Sequence, residues 1–289
     1  MVFRVFISLF VAASLCFFSI DAQAHPHILD IEKNQDLDFN QLLEELKNAQ
    51  VIFIGELHDH EGHHRMQLEV IRGLNRLGKS VAVGLEMFQQ DYQGALDKWV
   101  AGEMTEEGFV LTYNQNWSMW PIYRPIFIEA RSRNLPMVAL NVNRSVTRQV
   151  ARSGFESLTE GQREGLEGVS CRVDPAYEDF IRRALGGHGH GQPDFIYFCE
   201  AQLLWDAVMA RNIDNYLERH PETTLVVLAG SGHSWKHGIA HQLDQIADRS
   251  YKKVILPEVR GRIDRTSAQL RDADYLWLDS GPQGWGQME

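Results

Sequence analysis

The fold follows from residues 51–64, which read VIFIGELHDHEGHH. Residues 51–54 are all apolar, and such a short apolar run is typical of a strand buried on both faces of a sheet. The run stops at Gly55 and is followed by acidic residues and four histidines, and then by apolar residues at helical spacing from Met66 to Leu77. Because ligands gather beyond the carboxyl ends of strands in an open α/β sheet, this stretch predicts both a fold and a site.

Further buried strands are predicted from similar apolar runs at residues 81–85, 136–140, 225–229 and 254–256, and a last run at 275–278 is expected to form an edge strand. Strands that alternate with helices predict a three-layer α/β fold with a mainly parallel sheet. Strand patterns are absent from about residue 146 to 217, which predicts a helical insertion subdomain. Residues 25–289 are therefore expected to form a single α/β domain.

The composition limits the classes of partner. The 289 residues carry a formal net charge of −11, and 44% of them are hydrophobic, which is enough for one large core. No run of basic residues appears in the chain. Proteins that bind nucleic acids or anionic membrane surfaces need clustered Lys and Arg, so neither partner is expected.

Residues 1–24 have the features of a cleaved secretory signal peptide. Arg4 precedes a long apolar run, and Ala22 and Ala24 match the usual cleavage pattern, so the mature chain is expected to begin at His25 in the periplasm. A lipoprotein attached through Cys16 is the alternative. The bulky residue before Cys16 argues against it, since lipid attachment normally needs a small residue there.

Two cysteines remain after cleavage, Cys171 and Cys199. In an oxidising compartment they form either a disulfide or two separate thiols, and the sequence leaves both possibilities open.

Polar residues follow three of the predicted strands. The pattern Gly-x-x-His occurs at 55–58 and again at 230–233, so Glu56, His58 and His233 follow two strands and Glu86 follows a third. Imidazoles and carboxylates suit a divalent metal, for which His58, Glu86 and His233 are the expected ligands. The same residues together with Glu56 also suit the general acid and base work of a hydrolase. Alternatively, these side chains cap helices and bond backbone amides.

Two other histidine patterns are weaker. Residues 60–64 match the zinc-protease signature H-E-x-x-H, but Gly62 interrupts it directly after a strand, which argues against that function. His233, His237 and His241 are spaced four residues apart, which would align them along one helix if that helix began early enough. A solvated helix face explains His237 and His241 at least as well.

Several motifs resemble those of the ChaN-type haem-binding proteins, whose distant relatives include erythromycin-esterase-like hydrolases and TIKI/TraB proteins. The motifs are GELHD at 55–59, HH at 63–64, GLEMF at 84–88, ALN at 139–141, AQ at 201–202 with WD at 205–206, AGSGH at 229–233 and DYLW at 274–277. The resemblance implies an exported protein that binds haem for haem or iron uptake, storage or trafficking. A hydrolase, with or without a divalent metal, is the alternative function.

The resemblance also implies that a tyrosine of the helical part holds the haem between two subunits. Tyr177 is the first choice, followed by Tyr123 and Tyr113, and His188 or His190 would ligate or bond the same iron. A homodimer is therefore expected when haem is bound. Because related proteins are often lipoproteins, peripheral association with the outer membrane is a further expectation.

Overall fold

The computed structural model describes residues 27–164, 166, 169, 173, 175–184, 193–249, 252–259 and 262–278. The predicted signal peptide, Cys171, His188 and His190 lie outside the described residues. No helix in the described part of the chain is long and apolar enough to cross a membrane.

The strands of the described residues join in one sheet. They are β1 (His27–Asp30), β2 (Gln35–Leu37), β3 (Val51–Glu56), β4 (Val81–Gln89), β5 (Met137–Asn141), β6 (Thr224–Gly230), β7 (Lys252–Pro257) and β8 (Tyr275–Leu278). Their order in the sheet is β2-β1-β8-β7-β3-β6-β4-β5. The pairs from β8 to β5 are parallel, whereas β1 is antiparallel to both β2 and β8. The predicted α/β fold with a mainly parallel sheet is confirmed.

One prediction about the sheet was wrong. The run at 275–278 was expected at an edge, but β8 lies inside the sheet between β7 and β1. The physical reason is that β1 pairs with the outer side of β8, and Trp277 lies opposite Ile28. Strands β1 and β2 were not predicted because they have only four and three residues, which is too short for a hydrophobic period to be visible.

The helices of the described residues are α1 (Phe39–Leu46), α2 (Glu61–Arg76), α3 (Gln93–Val100), α4 (Glu106–Asn116), α5 (Trp120–Arg133), α6 (Arg144–Ser153), α7 (Glu160–Glu164), α8 (Pro175–Ala184), α9 (Pro193–Arg219), α10 (Ser231–Ser234) and α11 (Ile239–Ile246). The described residues between β5 and β6 contain helices and no strand. Cys199 lies on α9 as a buried free thiol, and burial raises its pKa to about 11.

Helices cover both faces of the sheet. Alternate residues of a strand point to opposite faces, and accordingly Ile52 and Ile54 pack with α1 to α5, whereas Val51 and Phe53 pack with α8, α9 and α11. All six residues of β3 are buried. The near-continuous apolar runs in the sequence therefore reflect strands with helices on both sides, and the three-layer prediction is confirmed.

His233, His237 and His241 do not lie along one helix. His233 lies on α10 and His241 on α11, and His237 lies between the two helices. The chain turns sharply at Gly238, where a Cβ atom added to the backbone would come within 2.2 Å of the carbonyl oxygen of His233. Only glycine fits at such a close approach of two backbone segments.

Side chains occupy the outer edge of β5. The Gln93 carboxamide donates to the carbonyl oxygen of Met137 at 2.8 Å and accepts from the Ala139 N–H at 2.8 Å. Asn212 on α9 donates to the carbonyl oxygen of Leu140 at 2.7 Å. Three backbone groups of β5 are thus bonded to side chains and not to a further strand.

Candidate functional site

The two Gly-x-x-His motifs leave the sheet side by side. β3 and β6 are parallel neighbours in register, with Gly55 opposite Ala229 and Glu56 opposite Gly230. β4 lies on the other side of β6, and its Leu85 is paired with Leu228. Glu86 was expected to follow the third strand, but β4 continues to Gln89, and Glu86 lies within it just beyond the last residue paired with β6. Glu56, His58, Glu86 and His233 still lie at one rim of the sheet, because β6 ends at Gly230, whose N–H is bonded to Glu86.

His58 and Glu86 meet above Gly230. A Cβ atom added at Gly230 would lie 3.2 Å from His58 Nε2 and 3.7 Å from Glu86 Oε2. The backbone N–H of Gly230 donates to Glu86 Oε2 at 2.6 Å. The glycine thus allows the imidazole and the carboxylate to approach over the end of β6.

Glu56 is a buried carboxylate with several donors. It is 1% exposed, and it accepts hydrogen bonds from His58 Nδ1 at 2.7 Å, from Gln67 Nε2 at 2.6 Å and from the Tyr123 hydroxyl. Burial alone would raise the pKa of Glu56, but the bond from His58 and the nearby charge of His64 outweigh it, so the pKa is lowered. Glu56 therefore remains ionised and orients the ring of His58.

His58 is the accessible member of this pair. Its side chain is 37% exposed, and its ring meets the edge of Trp117 with a centroid distance of 5.0 Å. Burial would lower its pKa, but the hydrogen bond to Glu56 and the charge of Glu86 raise it. An exposed imidazole held by a buried carboxylate has the arrangement of a general base or acid.

His233 lies between two carboxylates. Its Nδ1 is 2.6 Å from Asp206 Oδ1, and its Nε2 is 3.7 Å from Glu86 Oε1. Burial would lower the pKa of His233, but Asp206 and Glu86 raise it to about 9. Burial also raises the pKa of Asp206. His233 thus links the rim of the sheet to α9 through a buried network of titratable groups.

Tyr177 belongs to the same network. Its hydroxyl donates to Asp206 Oδ2 at 2.8 Å, and its side chain is only 4% exposed. Asp206 is fully buried, and its two carboxylate oxygens accept hydrogen bonds from Tyr177 and from His233. Asp206 therefore joins Tyr177 of the predicted insertion to His233 at the strand ends.

The other two tyrosines are also buried and bonded. Tyr123 donates to Glu56, and Tyr113 donates to the carbonyl oxygen of Ser118 at 2.9 Å. Burial raises the pKa of both phenols well above the usual range. Tyr123 therefore contributes a hydrogen bond from α5 to the buried carboxylate of Glu56.

Three residues that bond the strand-end side chains were not predicted to act there. They are Asp206, which bonds His233, and Tyr123 and Gln67, which bond Glu56. Asp206 occurs in the sequence only as part of a helical motif, and Gln67 and Tyr123 lie within apolar helical patterns. A polar residue on the buried face of a helix was the one signal in the sequence, because such a residue needs a partner.

A cavity of about 310 Å³ lies beside the network, between the strand ends and helices α6 and α9. Trp117 touches His58, and Trp205 meets the ring of His233 with a centroid distance of 5.3 Å. The cavity is therefore adjacent to both histidines of the Gly-x-x-His motifs. Its lining residues are Met87, Gln89, Trp117, Asn141, Arg144, Thr147, Arg148, Ala151, Phe198, Ala201, Gln202 and Trp205.

The described residues hold no group of three or more His, Cys, Asp or Glu placed to bind a metal ion. The metal prediction for His58, Glu86 and His233 therefore gains no support from the described residues. The second histidine of the H-E-x-x-H pattern, His64, is bonded within the protein. Both ring nitrogens of His64 have partners, the carboxamide oxygen of Gln67 at 3.0 Å and the carbonyl oxygen of His58 at 3.0 Å.

Known proteins resemble this chain in fold and in sequence. The structure of ChaN of Campylobacter jejuni, described by its cofacial heme binding, matches with a TM-score of 0.67 and 21% identity, covering 87% of this chain and 96% of that one. A mutant of the erythromycin esterase EreC matches with a TM-score of 0.48 and 15% identity, covering 80% and 76%. At 21% identity, the match with ChaN shows the fold alone.

A curated relative is the chloroplastic protein RETICULATA-RELATED 5 of Arabidopsis thaliana. It is 23% identical over 270 residues, which cover 84% of this chain, and the chain spans 36% of the length of that relative. A family model matches residues 42–243, a range that includes both Gly-x-x-His motifs and helices α6 to α9. The chain therefore belongs to the family described as haem-binding uptake, Tiki superfamily, ChaN.

Proposed function

We propose that this chain binds haem and that, as an exported protein, it serves haem or iron uptake, storage or trafficking. The observation that carries the proposal is the family match over residues 42–243. The match includes the cavity between the strand ends and the insertion, whose walls contain Trp117, Phe198 and Trp205. A large, flat and mostly apolar ligand gains most of its binding free energy from such apolar walls.

Tyr177 is the proposed ligand of the iron. An anionic phenolate suits ferric haem iron, and Asp206 Oδ2 is already placed 2.8 Å from the Tyr177 hydroxyl to accept its proton. Because Tyr177 is 4% exposed, ligation requires α8 to move away from α9. His188 and His190 follow α8 in the sequence and are proposed as further ligands or hydrogen-bond partners of the same group.

The partner and the location are also proposals. ChaN of Campylobacter jejuni is described as binding heme cofacially. We propose a homodimer for the loaded form of this chain, because a second copy would cover the part of the ligand that a cavity of about 310 Å³ leaves outside. A soluble periplasmic location with peripheral outer-membrane association is the proposed setting, and the sequence of residues 1–24 supports export.

The test of haem binding is a titration of the purified chain with hemin, followed by visible spectroscopy. The wild type should bind with a saturable change in the Soret band. Tyr177→Phe should alter the spectrum more than the affinity, because the apolar walls remain while the ligand is lost. His58→Ala is the matched control, and its spectrum should stay nearly unchanged.

Two results would count against these assignments. If the wild type shows no saturable binding, the haem function is wrong. If His58→Ala shifts the haem bands and Tyr177→Phe does not, the function stands but the iron lies at the strand ends.

A hydrolase is the second candidate, and one observation favours it. His58 is 37% exposed while the Glu56 that orients it is fully buried, and Glu86 faces the same space. Such a pair can take a proton from a water molecule that attacks an ester or amide. The assay is the hydrolysis of p-nitrophenyl acetate between pH 5 and pH 9.

A rate above background that His58→Ala abolishes and Tyr177→Phe retains would support the hydrolase. Equal rates for the wild type and His58→Ala across this range would remove it.

A further inference from the structure

The cavity between α6 and α9 is lined by two indole N–H groups that have no hydrogen-bond acceptor among the described residues. Trp117 Nε1 and Trp205 Nε1 are both buried and find no hydrogen-bond partner among the described residues. Both indoles line the same cavity. Buried N–H groups are normally bonded, and leaving one unpaired is unfavourable. Two of them on the walls of one cavity indicate a ligand that carries acceptors.

The charge of the cavity points in the same direction. Arg144 and Arg148 lie four residues apart on α6 and line the cavity, whose lining contains no Asp or Glu among the described residues. This contrasts with the formal net charge of −11 of the whole chain. Like charges at this spacing on a helix disfavour each other unless an anion lies nearby. The cavity therefore favours an anionic ligand.

The two arginines differ in how they are held. Arg144 donates to the carbonyl oxygen of Asn116 and lies over the ring of Trp117 at 5.6 Å, so it is fixed by neutral partners that leave its charge uncompensated. Arg148 is exposed and makes no hydrogen bond or ion pair with the rest of the described chain. A guanidinium can bind a carboxylate through two parallel hydrogen bonds.

The remaining walls are apolar. Met87, Phe198 and the two tryptophans provide flat surfaces, and Ala151 and Ala201 keep the space open. A volume of about 310 Å³ is at the lower end for a small-molecule site. The cavity can thus enclose one edge of a large flat ligand and not the whole of it.

We propose that this cavity holds the carboxylate-bearing edge of a porphyrin, with Arg144 and Arg148 pairing with its propionates and the indole N–H groups of Trp117 and Trp205 as additional donors. The inference rests on the proposed haem function and assigns the recognition of the organic periphery to residues other than the iron ligand. Recognition of this kind needs no iron. A metal-free porphyrin should therefore bind, and its carboxylates should matter.

The experiment compares metal-free protoporphyrin IX with its dimethyl ester, in which both carboxylates are blocked, by fluorescence titration of the full chain. Arg148→Gln is the test variant, and Arg152→Gln is the matched control, since Arg152 lies on the same helix but does not line the cavity. Circular dichroism and thermal unfolding check that each variant is folded. Hemin is titrated in parallel with all three proteins.

The wild type should bind the free acid at least about tenfold more tightly than the ester, which is the loss expected for one charge-assisted hydrogen bond. Arg148→Gln should weaken binding of the free acid by about tenfold and leave binding of the ester unchanged. Arg152→Gln should behave as the wild type. Trp117→Phe, which keeps an aromatic ring but removes the N–H, should reduce the preference for the free acid.

The outcomes separate this inference from the proposed function. If hemin binds but protoporphyrin IX does not, or if Arg148→Gln and the ester make no difference, the cavity is not the seat of the carboxylates although haem binding stands. If neither hemin nor protoporphyrin IX binds to the wild type, the proposed function itself fails.

Discussion

His233 should make the free energy of unfolding fall as the pH rises from about 6.5 to about 9. The charges of Asp206 and Glu86 raise its pKa from 6.5 to about 9 in the folded chain, against the effect of burial. A histidine with a raised folded pKa stabilises the fold fully below its unfolded pKa, and this stabilisation is lost as the pH rises through the folded pKa. The difference between the two pKa values corresponds to about 3 kcal/mol.

The measurement is urea unfolding at pH 6.0 and at pH 9.5, in buffer with EDTA, for the wild type and for His233→Gln. Glutamine keeps an N–H that can reach Asp206 but has no proton to lose in this range. Groups that titrate at high pH and do not contact His233, such as the Cys199 thiol with a pKa of about 11, are present in both proteins and cancel. Between the two pH values the wild type should lose about 3 kcal/mol more than the variant.

The reasoning would be refuted by parallel pH profiles of the two proteins. At pH 6.0 the variant should be the less stable protein, because Asp206 and Glu86 then lack a buried cation. At pH 9.5 the two free energies of unfolding should converge.

Three further substitutions test a close backbone approach, the packing of the core and a helix cap. Gly238→Ala should destabilise the chain by at least about 2 kcal/mol, since its Cβ would lie 2.2 Å from the carbonyl oxygen of His233, and an unchanged thermal midpoint would contradict this. Trp99→Ala should cost about 3 to 5 kcal/mol in urea unfolding, because the side chain is fully buried and donates to the carbonyl oxygen of Phe127 at 2.9 Å; a cost below about 1 kcal/mol would be inconsistent with that packing. Asp38→Ala should cost about 1 kcal/mol by the same measurement, since Asp38 accepts from the N–H three residues on as the N-cap of α1, and no loss would mean that the cap is not formed.

The sequence predicted the rim of the sheet because local patterns determine it. The apolar runs end near the points where β3, β4 and β6 stop pairing with one another, although β4 itself continues to Gln89. Because parallel neighbours end at the same edge, Glu56, His58, Glu86 and His233 could be placed together without knowledge of the strand order. The Gly-x-x-His motifs at 55–58 and 230–233 marked the ends of two of these strands. Patterns within short segments were therefore sufficient to predict which side chains lie at the rim.

The remaining features depend on contacts between distant segments. Asp206 is 27 residues from His233 and 29 from Tyr177, and Tyr123 is 67 residues from Glu56. No pattern along the chain reports which helix face meets which strand end. The same holds for β8, whose interior position depends on its pairing with the N-terminal strand β1.

The edges of the sheet restrict how the chain can associate with others. An unpaired edge strand is a template on which other chains can pair and aggregate. At one edge β2 has only three residues. At the other, the carboxamides of Gln93 and Asn212 bond the outer backbone of β5 and take the place of a neighbouring strand. A further strand at the β5 edge would have to break the two hydrogen bonds of Gln93. Replacing Gln93 with an apolar residue should therefore make this edge more prone to pair with another chain.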